Sequence, residues 1–246
     1  MTNAELVAYH GNPALKASVL AEMAEHRAAD ALVKGVYWEN GRGCAVGCLT
    51  HDPVGGHAQY PVRWDIPEEL AWLEDALFER LPNGLAQVWP ERFLLAIPVG
   101  ADLSGVYAAW SAALMLDPER GNITRCAGFP EAEAAVRLVG ALWQEANPSE
   151  SDAEFAESAA ESAVDSAVEW ASRSAVDSEM WVTSWSAARA ARSAAWSAES
   201  ALFVFSPVWS AARSAADSTN DAPAHWQWMA DRLIACLTKA PVVVAS

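Results

Sequence analysis

The stretch Asp65-Ile66-Pro67-Glu68-Glu69-Leu70-Ala71-Trp72-Leu73-Glu74-Asp75-Ala76-Leu77-Phe78-Glu79-Arg80-Leu81-Pro82-Asn83-Gly84 decides the fold class. Leu70, Leu73, Leu77 and Leu81 recur at the three- and four-residue steps that place side chains on one face of an α-helix. Asp65 with Glu68 makes a capping-box-like start, with Asp in place of Ser or Thr, and Leu81-Pro82-Asn83-Gly84 is a stop. The same punctuation recurs on either side. Asn12-Pro13 opens a helix with a cap and a proline at its first position, carrying Leu15, Val19, Leu20, Met23 and Leu32, and Gly35 closes it. Pro90 to Ile97 reads as a short helix, and Asp102 caps another with Leu103, Val106, Trp110 and Leu114. Pro130 opens one with Val136, Val139 and Trp143 that Asn147-Pro148 stops. Residues 36–38 and 58–64 alone look capable of short strands. The fold class is mainly α.

The second part of the chain is written differently. All thirteen glycines lie at or before Gly140, and residues 149–206 hold neither Gly nor Pro. There Ser-Ala pairs recur, as at Ser158-Ala159, Ser162-Ala163 and Ser166-Ala167, in a helix-forming background. A four-residue step drifts by about 40° per repeat on a helix and smears such a pattern around it. Trp170, Trp181, Trp185 and Trp196 correct the drift, falling within an arc of about 80° on a continuous helix. One helix from 149 to 204 would be about 80 Å long, so a break or a rod that dimerises is expected. Ser206-Pro207 starts a further helix, residues 219–224 form a linker, and 225–239 form an amphipathic helix expected to dock back on the core. The organisation expected is a helical, pocket-bearing domain over 1–148, a Ser/Ala/Trp helical region over 149–222, and a docking helix with tail over 223–246. The long helical region packs back on the first domain or mediates assembly, with 149–218 as the surface for a homo-oligomer.

Composition narrows the class. The chain has 246 residues, 52% of them apolar, and thirteen tryptophans, enough to bury a substantial core. No run approaches the length of a membrane span and the N-terminus does not read as a secretion signal, so a cytoplasmic protein is expected, with no membrane partner. A net charge of −16 repels nucleic acid and leaves a basic host protein, or mimicry of nucleic-acid charge, as partner chemistry.

The chemistry concentrates in Tyr37-Trp38-Glu39-Asn40-Gly41-Arg42-Gly43-Cys44-Ala45-Val46-Gly47-Cys48-Leu49-Thr50-His51, with His57 following. Glycines among reactive side chains let backbone approach a ligand. A helix starting after Gly43 puts Cys44, Cys48 and His51 within about 60° on one face. Three readings are open. Cys44 in a first helical turn is favoured as a thiolate by the helix dipole, with His51, His57 or His26 as base, oriented by Glu39 and Asn40. Alternatively, Cys44, Cys48, His51 and His57 supply the four ligands of a structural zinc, with His10 as another source; no other cofactor is expected. Or the cysteines are packing residues beside Gly47 and His51 is a surface residue. His26, Arg27 and Asp30 add polar groups to an apolar helix, as an ion pair or as the other wall of a pocket.

Residues 9–103 resemble a family of uncharacterised bacteriophage and prophage proteins. The likeness rests on Tyr9-His10-Gly11, His26-Arg27-Ala28-Ala29-Asp30, Tyr37-Trp38-Glu39-Asn40-Gly41 and Gly43-Cys44-Ala45-Val46-Gly47-Cys48. It continues through Leu81-Pro82-Asn83-Gly84, Trp89-Pro90-Glu91-Arg92-Phe93 and Ile97-Pro98-Val99-Gly100, with His57 and Tyr60 also in place. Similar proteins carry Ser/Ala tails ending in a helix like Met229-Ala230-Asp231-Arg232-Leu233. The resemblance implies a setting in the infected host cytoplasm, an accessory or counter-defence role, and no particular reaction. The expectation is a protein that binds or processes a small, nucleotide-like ligand between Tyr37–His57 and the His26–Asp30 helix. Arg27 and Arg42 would meet an anion, Trp38 would stack, and Cys44 would react with a histidine. The rival expectation is an acidic inhibitor of a host protein with a structural Cys/His segment.

Overall fold

The computed structural model describes residues 6–145, 150–173, 186–188, 190, 191 and 221–243. Helices dominate. They are α1 (Pro13–Ala28), α2 (Ala45–Thr50), α3 (Gln59–Trp64), α4 (Glu68–Arg80), α5 (Asn83–Ala86), α6 (Trp89–Ala96), α7 (Val106–Leu116), α8 (Pro130–Leu142), α9 (Glu150–Arg173) and a C-terminal helix, Ala222–Thr238. Among the described residues the only sheet is an antiparallel pair, β1 (Trp38–Glu39) and β2 (Arg42–Gly43), with Trp38 opposite Gly43. No described helix is long and apolar enough to cross a membrane.

Two compact units are present, one formed by residues 1–107 with 226–246 and the other by 108–225. The division falls inside α7.

In the first unit α2 is the innermost element. Five of its six residues, Ala45 to Leu49, are buried, and it packs on both α1 and α4. Buried with it are Met23 of α1, Leu70, Leu77 and Phe78 of α4, and Trp89, Phe93 and Leu94 of α6, which packs on α1 and α4. Two buried aromatics have their polar tips satisfied: Tyr9 donates to the Leu94 carbonyl at 2.8 Å and the Trp89 indole to the Glu74 carbonyl at 2.9 Å. The C-terminal helix belongs to this unit from Trp226 onward. Asp231 pairs with Arg92 at 2.9 Å, and Val242 bridges Ala101 just beyond the helix.

Several expected boundaries differ. The Asn12 cap is as read, accepting from the Ala14 N–H at 2.9 Å. However, α1 ends at Ala28 and not at Gly35, because Asp30 takes a left-handed conformation (φ 51°) and turns Leu32 back to bridge Gly43. Residues 58–64 fold as α3 instead of a strand. Asp65 does not cap α4: it is the left-handed residue closing α3, and its carboxylate is bound to His10. Pro67 takes the N-cap position, with Glu68 and Glu69 at the positive end of the α4 dipole. Residues 222–224, expected as linker, form the first turn of the C-terminal helix, where Asp221 accepts from the Ala224 N–H.

In the second unit α8 packs along α9. The buried alanines of α9, Ala153, Ala156, Ala160, Ala163 and Ala167, follow alternating steps of three and four and not the strict four-residue step of the Ser-Ala pairs. The stripe of Trp181, Trp185 and Trp196, the side chain of Trp170, and the helix after Ser206-Pro207 lie outside the described residues.

Two glycines set how close α2 comes to its neighbour. A Cβ on Gly43 or on Gly47 would overlap the carbonyl oxygen of Tyr37. The obstacle is backbone, which cannot swing aside as a side chain can. Gly47→Ala is therefore expected to destabilise the protein by about 2 kcal/mol or more, seen as a lowered midpoint in urea unfolding; an unchanged midpoint would show that Tyr37 does not lie against this helix.

Candidate functional site

The chain enters the site through Val33, whose N–H donates to Gly43 O at 2.8 Å, and Val36, whose carbonyl accepts from Cys44 N at 2.7 Å. These bonds lay residues 35–37 across the start of α2. Cys44 becomes its N-cap, with the sulfur accepting from the Gly47 N–H at 3.4 Å. At the other end His51, left-handed at φ 55°, terminates the helix. Cys44, Cys48 and His51 consequently do not share one helical face, since the two outer residues are non-helical caps of a six-residue helix.

The residues expected to act together separate into two groups. On the α4 side, a cavity of about 250 Å³ is lined by Gly35, Val36, Tyr37, Cys44, Asp75 and Glu79. His57 stands beside it, 2% exposed, with Nε2 3.3 Å from Asp75 Oδ2. Trp72 stacks flat on His57 at 3.5 Å and Tyr37 meets it edge-on at 5.6 Å. The other Asp75 oxygen, Oδ1, is buried without a nitrogen or oxygen donor among the described residues. No Lys or Arg among those residues forms an ion pair with Asp75. Glu79 accepts from the Gly35 N–H at 2.9 Å, with Lys34 and Arg80 nearby.

Cys44 is not an activated thiolate. Burial above all, and then the Asp75 carboxylate beside it, push its thiol far above the usual cysteine range. The backbone N–H groups of Gly47 and Val46 at this short helix start lower it but do not offset that desolvation. Tyr37 is shifted upward for the same reasons, burial first and the Asp75 charge second. The cavity therefore sets a thiol and a phenol, both disfavoured as anions, beside the side chains of Asp75 and Glu79.

On the α1 side, His51 Nε2 lies 3.3 Å from His26 Nε2 and 3.9 Å from Glu22 Oε1. Trp38 stacks on His51 at 4.3 Å and meets His26 edge-on at 5.5 Å. Burial, followed by the neighbouring His51, lowers the His26 pKa, while a hydrogen bond to the backbone of Cys48 works the other way.

The remaining candidates are engaged elsewhere. Arg27 pairs with Glu91 at 2.9 Å, and not with Asp30. Arg42 donates to the Asp30 carbonyl at 2.9 and 3.2 Å. Neither arginine lines the cavity, so the anion clamp is not assembled there. Glu39 and Asn40 form the exposed hairpin, with Asn40 left-handed at φ 52°. Cys48 is fully buried; its thiol donates to Gly43 O at 3.5 Å and to Ala31 O at 3.8 Å, and burial pushes its pKa up to about 12. The four-ligand set of Cys44, Cys48, His51 and His57 is thus not brought together, and His10 is held by Asp65 and the Arg63 carbonyl.

The sequence reading missed the carboxylates of α4 and Glu22. A signal existed for Glu74: four residues after Leu70 and three before Leu77, it falls on the apolar face. Glu22 stands four residues before His26, the spacing that aligns two side chains on a helix.

Glu74 is fully buried, its Oε2 accepting from the Tyr60 hydroxyl at 2.6 Å. Burial chiefly, and then Asp75, push its pKa up to about 8. Between pH 4.5 and 8 the unfolded chain has already lost a proton that the folded chain keeps, so stability falls as pH rises through that window. Glu74→Gln should abolish this slope: measured by urea unfolding at pH 5 and pH 8, wild type should lose a few kcal/mol relative to the variant, one pKa unit being about 1.4 kcal/mol. Parallel stability curves would show that Glu74 is ionised in the folded protein. No family model, curated protein or solved structure matches the chain, and the functional reading is built from this geometry.

Proposed function

We propose that the protein binds a small ligand bearing N–H donors or a positive charge in the cavity bounded by Tyr37, Cys44, Asp75 and Glu79. The observation that carries this reading is Asp75: a carboxylate lining a cavity, with one oxygen buried and lacking a nitrogen or oxygen donor among the described residues. The Cys44 thiol is only a weak donor to this carboxylate, and a ligand N–H offers it a stronger, charge-assisted bond. Glu79 adds a second acceptor and Tyr37 an aromatic wall suited to a cation. His57, pressed between Trp72 and Tyr37, positions Asp75. The electrostatics favour binding over nucleophilic attack by Cys44. An accessory role in an infected host cell rests on the sequence resemblance alone.

The test is ligand-observed NMR with alkylamines, alkylguanidines, free nucleobases and nucleoside monophosphates. Amines, guanidines or bases presenting N–H donors should bind, and Asp75→Asn should weaken them at least about tenfold, the loss of one charge-assisted hydrogen bond. Preference for the phosphate-bearing probes, or indifference to Asp75→Asn in a folded variant, would overturn the reading.

A second reading, docking on a basic host protein, draws on α9, which exposes Glu154, Glu161 and Asp165 beside Phe155, itself 67% exposed. Replacing the three acids with lysine should abolish such an interaction and its salt dependence while Asp75→Asn leaves it intact; a pull-down with both variants separates the two readings.

A further inference from the structure

The geometry points to a divalent transition-metal site formed by Glu22, His26 and His51, apart from the cavity at Asp75. Among the described residues these are the His, Cys, Asp and Glu side chains that come close enough to share one ion, with their ligand atoms all within 4.8 Å of one another. Two imidazole nitrogens bound to zinc at about 2.05 Å in a tetrahedron are about 3.3 Å apart. His26 Nε2 and His51 Nε2 are 3.3 Å apart. The Glu22 oxygen lies 3.9 Å from His51 Nε2 and within 4.8 Å of the His26 ligand nitrogen, so completing the set takes a side-chain adjustment of about 0.5–1.5 Å.

The supporting structure fits a metal better than a fortuitous pair. Glu22 and His26 come from successive turns of α1, so one rigid element supplies two ligands. His51 is the cap where α2 ends, and Trp38 stacks on its ring and braces the edge of His26. Two nitrogens and one oxygen suit zinc, cobalt or iron(II), and do not suit magnesium or calcium, which prefer oxygen. Glu22 and His51 are partly exposed, so an ion can enter. Three protein ligands leave a coordination position for water or a substrate atom.

The full-length protein, stripped with a chelator and dialysed, is titrated with Co²⁺ and followed by its visible spectrum, then back-titrated with Zn²⁺. One equivalent of Co²⁺, displaced by zinc and lacking a thiolate charge-transfer band, is expected. Glu22→Gln and His51→Asn should each weaken binding by more than the 10–100-fold typical of an outer-shell change; Asn tolerates the left-handed backbone at position 51. Cys44→Ser and Cys48→Ser should bind as wild type does. Zinc should raise the melting temperature of wild type and not of the Glu22 or His51 variants. Absence of Co²⁺ binding, a thiolate band, or equal affinity in His51→Asn each overturns the site. If the variants do not fold, the wild-type spectrum and stoichiometry decide alone.

Discussion

The contact between the Tyr37 backbone and the first turn of α2 is the constraint on which the rest of the site depends. Where Gly43 and Gly47 stand, any side chain would occupy the position of the Tyr37 carbonyl oxygen. Because both positions are bare, residues 35–37 lie flat on the helix and bond to it through Val36 and Cys44. That path delivers the Tyr37 ring and the Cys44 sulfur to the cavity facing α4. One residue later, β1 carries Trp38 to the histidines facing α1. Adjacent aromatics thus serve different groups because the backbone between them is pinned. Glycine here answers a packing demand, and the hydrogen bonds follow from the approach it permits.

Two neighbouring carboxylates on α4 show how environment separates chemically similar groups. Glu74 points among the apolar side chains, touches one hydroxyl, and burial keeps its proton on beyond neutral pH. Asp75, one residue on and 100° around the helix, faces His57 and the cavity. A neutral acid in the core stabilises by filling space, whereas a carboxylate at a cavity wall is a recognition group.

Much of the scaffold was legible in the residues. Asn12-Pro13, Leu81-Pro82 and Pro130 mark helix ends by local chemistry, and the structure places ends within a few residues of them. Readings failed where a distant partner outweighed local preference. Asp65 has the composition of a cap, yet His10, fifty-five residues away, holds its carboxylate and the backbone turns left-handed. Leu32 continues the helical spacing of α1, yet pairing with Gly43 takes it off the helix. The importance of Tyr37-to-His51 was visible from its composition. Its internal arrangement was not: Asp52-Pro53 marks a turn, but nothing there shows that His51 itself turns left-handed or that Cys44 is a non-helical cap.

The shortness of α2 also explains why one conspicuous cluster became two groups. Over seven residues a helix rises roughly 10 Å, so Cys44 and His51 cap opposite ends of an element that is itself buried. A longer helix would have carried Cys44, Cys48 and His51 as a single row, with three ligands on one face and no room for a fourth. Ending at a left-handed residue, the chain instead releases His51 toward Glu22 and His26, and the following loop returns His57 to Asp75 on the α4 side. The buried turn between them, Ala45 to Leu49, is apolar, and none of its side chains lines the cavity or joins the histidine cluster. It insulates a carboxylate-lined cavity from an imidazole–carboxylate cluster, so each keeps its own electrostatics although their residues interleave in sequence.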